Sequence, residues 1–198
     1  GGVQIEVFNA ASMTNKCLQF ANGAVYPEPG NPWWERVHDL KLDALEEIID
    51  SLGGQQLLCS YAYRSDAERI MTKFKKLRPI NLTECKTQKS LDNAMWRWQN
   101  GDCPLMLGHP ASMGHGVDGL QEYGNNVAWY GMNWSLDLYD QLNARIRRQG
   151  QGRPVFIHRI LVAGTLDEAQ VLALAEKTQT QSSLRNAVKQ YRMTKGVG

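Results

Sequence analysis

Residues 38–79 read HDLKLDALEEIIDSLGGQQLLCSYAYRSDAERIMTKFKKLRP, and two periodicities alternate within them. Leu42, Leu45, Ile48, Ile49 and Leu52 recur at helical spacing and fall on one face, and Gly53-Gly54 ends that helix. QQLLCSYA, residues 55–62, is too short and too uniformly apolar at its centre for an amphipathic helix and reads as a buried strand. The helical period then returns. Ala67, Ile70, Met71, Phe74 and Leu77 share a face, Ser65 and Glu68 form a capping box, and Pro79 stops the run.

Toward the C-terminus the same alternation continues. A short strand is expected near residues 81–85, a helix over 90–101, strands over 103–108 and 126–131, and a helix over 135–148. A strand over 154–164 follows, then a helix over 165–177 capped by Thr165 and Glu168. Strands that alternate with helices of this length imply crossover connections, so the expected fold class is α/β, three layers, with a mainly parallel sheet flanked by helices. Toward the N-terminus the pattern changes to a leading helix and a turn-rich linker, YPEPGNPWW, at 26–34.

Composition agrees with one domain or a domain plus an appendage: 198 residues, 42% hydrophobic and 21% charged. A net charge of +2 is too small to indicate a nucleic-acid partner, so charge must be read locally. Residues 64–89 hold eight Lys or Arg against three acids, whereas residues 35–50 hold six acids against two basic residues. Such a basic strip can follow a phosphate backbone or simply solvate a helix. Cys17, Cys59, Cys85 and Cys103 lie far apart with no C-x-x-C pair, and are expected to be reduced structural thiols. With no long apolar run and no charged-then-apolar leader, neither a membrane span nor a signal peptide is expected, and the location expected is cytoplasmic. The start at GGVQIEVFNAAS, without methionine, reads as an excised or processed chain.

In open parallel sheets ligands collect at the carboxyl ends of strands, which directs attention to the loops after Leu107 and Tyr130. The first, LMLGHPASMGHGVDG at 105–119, is rich in glycine and is either a tight turn or a phosphate cradle. It is not a Walker A loop, because no G-K-[ST] follows. His109 and His115 have no second ligand at a recognised spacing, so no metal is expected there. Farther on, YDQLNARIRRQGQGRPV at 139–155 crowds Arg145, Arg147, Arg148 and Arg153 around one acid, Asp140, which is available to pair with one of them. Gln141, Arg145 and Arg148 lie four and three residues apart and are expected on one helical face. Either they form a solvated basic face or they present a forked, permanently charged donor to a phosphate.

Residues 140–155, DQLNARIRRQGQGRPV, resemble motif VI of the Swi/Snf-type ATPases of helicase superfamily 2, with the pattern D-Q-x-x-x-R-x-x-R-x-G-Q followed by R-P-V. Asp140, Gln141, Arg145, Arg148, Gly150, Gln151, Arg153, Pro154 and Val155 match it. QQLLCSYAYRSDAERI is similar to motif IV, LMLGHPASMGHGVDGLQ to motif V, and FIHRILVAGTLDE to the strand and capped helix that close the same lobe. NKCLQFANGAVY and HDLKLDALEEIID resemble the opening of the second lobe in phage and prophage helicases, so the resemblance runs from Thr14 to Ala175. It departs at Ser112-Met113, where the family has Ala-Gly, at Asp118, where it has asparagine, and at Gly119, a one-residue insertion.

The resemblance implies a RecA-like C-terminal lobe. The expected division is residues 1–38 as helix and linker from a preceding lobe, 39–176 as the RecA-like domain and 177–198 as a helical tail. It implies catalytic roles for Arg148, as arginine finger, and Arg145. Gln141, Gly116 and Asp118 would face the nucleotide, with Asp118 as a ribose contact, and Ser112, Met113, Gly114 and His115 would lie near a DNA backbone. ATP and Mg²⁺ would be held mainly by a first RecA-like lobe, since neither a Walker A nor a D-E-x-H string occurs in these residues, and the chain alone would be inactive. The partners implied are DNA and that first lobe, with no membrane. Two functions follow: the C-terminal lobe of an ATP-dependent DNA helicase or translocase, or a non-catalytic nucleic-acid or protein-docking module that keeps the fold.

Overall fold

The computed structural model describes residues 10–114, 117–132 and 135–178. His115, Gly116 and the expected tail beyond residue 178 lie outside the described residues. The central sheet contains β3 (Leu57–Ser60), β4 (Ile80–Asn81), β5 (Leu105–Gly108), β6 (Asn126–Trp129) and β7 (Phe156–Arg159) in the order β4-β5-β3-β6-β7. Every neighbouring pair is parallel; Leu57 stands opposite both Leu105 and Asn126, and Asn126 opposite Phe156.

Alternation along the strands sorts the core into two halves, because successive side chains leave opposite faces of a sheet. Leu58, Met106, Val127 and Trp129 pack against α4 (Gln88–Gln99), α5 (Leu120–Tyr123) and α6 (Leu136–Ile146), through Trp98, Leu120, Leu142 and Ile146 among others. Leu57, Cys59, Leu105, Leu107 and Ala128 pack against α2 (Leu40–Ser51) and α3 (Arg64–Lys73), through Leu42, Leu45, Ala67 and Ile70. The parallel sheet is therefore covered on both sides, which is why its central strands are largely apolar. A further helix, α7, spans 166–178 and contributes Leu174 to the first half.

The leading helix is α1 (Ala10–Asn22), and the 26–34 linker is bracketed by a two-stranded antiparallel ribbon of β1 (Ala24–Val25) and β2 (Glu35–Arg36). Gly23, at φ 89°, turns the chain out of α1; a Cβ there would overlap the His38 carbonyl.

Several boundaries differ from the sequence reading. Helix α3 begins at Arg64 with Tyr63 as its cap, and Asp66 rather than Glu68 reaches back, accepting from the Tyr63 amide at 2.9 Å. Glu68 is taken up by the Trp34 indole N–H at 2.7 Å and by Arg64. The strand expected over 81–85 is only Ile80–Asn81, because a 3-10 turn follows at Leu82–Glu84. Helix α6 ends at Ile146, two residues short of Arg148.

At the carboxyl ends of β3 and β6 the fold buries charge. Lys41 and Asp167, each at most 1% exposed at the side chain, form an ion pair of 2.7 Å. Lys41 Nζ also donates to Asn22 Oδ1 at 2.7 Å and to the Tyr130 carbonyl at 3.1 Å. Asn22 Nδ2 donates to Asp66 Oδ2 at 2.8 Å, and the Asn22 carbonyl accepts from Arg69 at 2.6 Å and from the Tyr130 hydroxyl at 3.2 Å. Burial pushes the Asp66 carboxyl up to about 6, against the pull of the Tyr63 amide and Asn22, and burial lowers Lys41, opposed by Asp167. This junction joins α1, α2, α3, β6 and α7 at one point.

Candidate functional site

Helix α6 is started by Ser135, whose Oγ accepts from the Leu138 amide at 3.3 Å. It is seated on the sheet by Leu136, Leu142 and Ile146 and by a hydrogen bond of 3.1 Å from the Trp129 indole to Asn143. With that face inward, Gln141 is exposed and Arg145, one turn later, is half-buried. Arg145 donates to the Val117 carbonyl at 3.0 Å, across to the segment that leaves β5. Arg147 caps the helix and points to solvent.

Arg148 therefore leaves the helix before its side chain is placed, and the three residues expected on one helical face divide into two on α6 and one beyond it. Its NH1 donates to Asp118 Oδ1 at 2.6 Å, with the two side chains 58% and 82% exposed. Among the described residues Asp140 forms no ion pair, so the acid beside Arg148 is Asp118. Both arginines thus converge on residues 117–118. Gly150, at φ 99°, then turns the chain, and Gln151 Nε2 donates to the carbonyls of Gln121 at 2.7 Å and Gly124 at 2.9 Å. Gln151 is a tether that spacing alone did not reveal; only its place in the resembling pattern marked it.

Ser112, Met113 and Gly114 form a 3-10 turn off the end of β5. Ser112 is exposed and helps line a cavity of about 320 Å³ at the ends of β3, β4 and β5, with Tyr61, Arg64, Thr83, Lys86 and His109. Met113 is 1% exposed and packs beneath Gly108, so it serves the core and is not open to a ligand. His109 accepts from the Ala111 amide at 3.3 Å and stacks edge-on to Tyr61 at 5.9 Å, and burial lowers its pKa. That is a turn-forming role.

The basic strip is partly neutralised from within. Lys73 pairs with Asp43 at 2.7 Å and Glu46 at 2.9 Å, Arg69 with Asp39 at 3.0 Å, and Arg64 with Glu68. The acids of 35–50 thus take up two of the strip's cations and Glu68 a third, which removes three of them from a phosphate path. Trp98 is fully buried, with its indole donating to the Leu120 carbonyl at 3.2 Å, whereas Trp33 is 77% exposed and Trp96 56% exposed.

No family model matches the chain. It is 37% identical over 194 residues to protein p41 of Acyrthosiphon pisum secondary endosymbiont phage 1, an alignment covering 96% of this chain and 40% of that protein. The chain thus spans about two fifths of the length of this curated relative. Among solved structures it is similar to the C-terminal part of the Fun30 ATPase domain, with a TM-score of 0.61 and 16% identity over 68% of this chain and 44% of that one. Among the described residues no helix is long and apolar enough to cross a membrane. The five-stranded parallel sheet flanked by helices shares its fold with the C-terminal part of that ATPase domain.

Proposed function

We propose that this chain is the C-terminal RecA-like lobe of an ATP-dependent DNA helicase or translocase, with Arg148 as the arginine finger. The observation that carries this is the convergence of Arg145 and Arg148 on residues 117–118 at one edge of a helicase-like lobe. Arg145, half-buried and bonded to a carbonyl, has a fixed guanidinium suited to a lobe-interface or phosphate contact. Arg148, on an exposed turn, can extend toward a neighbouring lobe. Gln141 and Gly116 would complete the nucleotide side. ATP and Mg²⁺ would rest mainly on the preceding lobe, the ion neutralising charge on the β- and γ-phosphates. Ser112, Gly114 and His115 would lie near the DNA phosphates, with an affinity that falls as salt rises.

The test is Arg148→Lys beside Arg147→Lys in the intact protein. A finger needs a planar fork that lysine lacks, so Arg148→Lys should cut DNA-stimulated ATP turnover by roughly 10³-fold while folding and DNA binding persist. Arg147→Lys should be nearly silent. Equal and small effects would defeat the assignment.

A further inference from the structure

We propose that Asp118 parks Arg148: its carboxylate occupies the guanidinium in the resting lobe and must be displaced when a nucleotide's terminal phosphate arrives. This rests on the finger reading above and adds a control element to it. Carboxylate and phosphate oxygens offer a guanidinium the same charge-assisted hydrogen bonds, so Asp118 is an internal substitute for the anion that Arg148 serves. The contact is a single one, NH1 to Oδ1 at 2.6 Å.

Three features make it a resting place and not an anchor. Arg148 sits beyond the end of α6, on a turn, while Arg145 is held within the helix. Asp118 is 82% exposed at the side chain, and among the described residues its carboxylate has no other polar partner. A carboxylate that orients a catalytic group is normally itself fixed by further hydrogen bonds. Gly119 follows at φ 88°, so Asp118 lies on a loop rather than on an element that would hold it in place. A ribose contact at Asp118 would require oxygens turned toward the sugar, whereas the resting structure turns one toward Arg148.

The test is Asp118→Asn in the intact protein, which keeps shape and removes charge at an exposed position. The pair is present in the free enzyme and absent in the transition state, so its loss should raise kcat/KM for ATP. An exposed ion pair sets the expected rise at roughly 1.5- to 5-fold at low salt, and the gap to wild type should close as salt screens the pair. Affinity for ADP, which lacks the γ-phosphate, should be unchanged. A fall in kcat/KM would make Asp118 an orienting partner, and weaker ADP binding would make it a ribose contact; either overturns parking, as does no change. Arg148→Lys separates the two levels. If it abolishes turnover while Asp118→Asn changes nothing, parking alone fails; if it is silent, the finger reading fails and parking with it.

Discussion

Replacing Lys41 by methionine keeps the side chain's length and apolar stem and removes only the ammonium. Three acceptors then lose their donor: Asp167 Oδ2, Asn22 Oδ1 and the Tyr130 carbonyl. The Asp167 carboxylate keeps only the Val162 amide, at 2.9 Å. Breaking one partner of a buried pair generally costs about 3–5 kcal/mol. We expect Lys41→Met to lose about 3–5 kcal/mol at pH 7 in urea unfolding, with m unchanged, a large share of a stability of about 5–15 kcal/mol. Lys41→Met with Asp167→Asn should recover at least about 2 kcal/mol relative to Lys41→Met alone, since no charge is stranded. A penalty below about 1 kcal/mol, or strictly additive single variants, would refute a coupled buried pair.

Asp66 gives a pH signature of its own. Its carboxyl is raised from 3.8 to about 6 in the fold, so the folded state binds the proton more tightly. Its contribution is therefore full below pH 3.8 and is lost as pH rises through about 6, by about 3 kcal/mol from 1.4 kcal/mol per unit. Stability measured against Asp66→Asn should fall by that amount across this window, while Asp39 and Glu68, held low by their arginine and indole partners, cancel in the difference; a flat difference would exclude the shift. Gly124→Ala places a Cβ into the Trp98 ring, a rigid neighbour, and should cost about 1–3 kcal/mol by chemical denaturation. Gly152→Ala, with open space around it, should change stability by less than about 0.5 kcal/mol, and equal effects at the two positions would contradict the packing described.

The sheet and its two helix layers were legible because parallel strands buried on both faces and amphipathic helices carry different periods, as residues 40–60 show. What stayed hidden depended on partners far along the chain. Lys41 lies four residues before Leu45, on the apolar stripe of α2, yet a lysine beside Leu40 and Leu42 reads as a solvated residue until Asp167 is brought to it. Leu40 is the one left 57% exposed. Ser65 and Glu68 matched the spacing of a capping box, but Asp66 had the nearer carboxylate once the chain turned at Tyr63. In the candidate site, Gln141, Arg145 and Arg148 do not share the helical face that their spacing implies, since α6 stops at Ile146. Nothing in local spacing could have paired Arg148 with an acid thirty residues earlier.

Asn22 ends α1 and is gripped by Lys41 and Asp66 through its side chain and by Arg69 and Tyr130 through its carbonyl. A pull or a push delivered along α1 is thereby spread at one residue into α2, α3 and the end of β6, in parallel with the single covalent link to β1. Four hydrogen bonds share a force that would otherwise fall on that link alone. Helix α1 is in this sense a handle fixed to the sheet, and bending under load would fall outside the stretch between Asn22 and the strands. In the lobe proposed above, displacement of α1 would be transmitted to the sheet as rigid rotation and not absorbed in the joint.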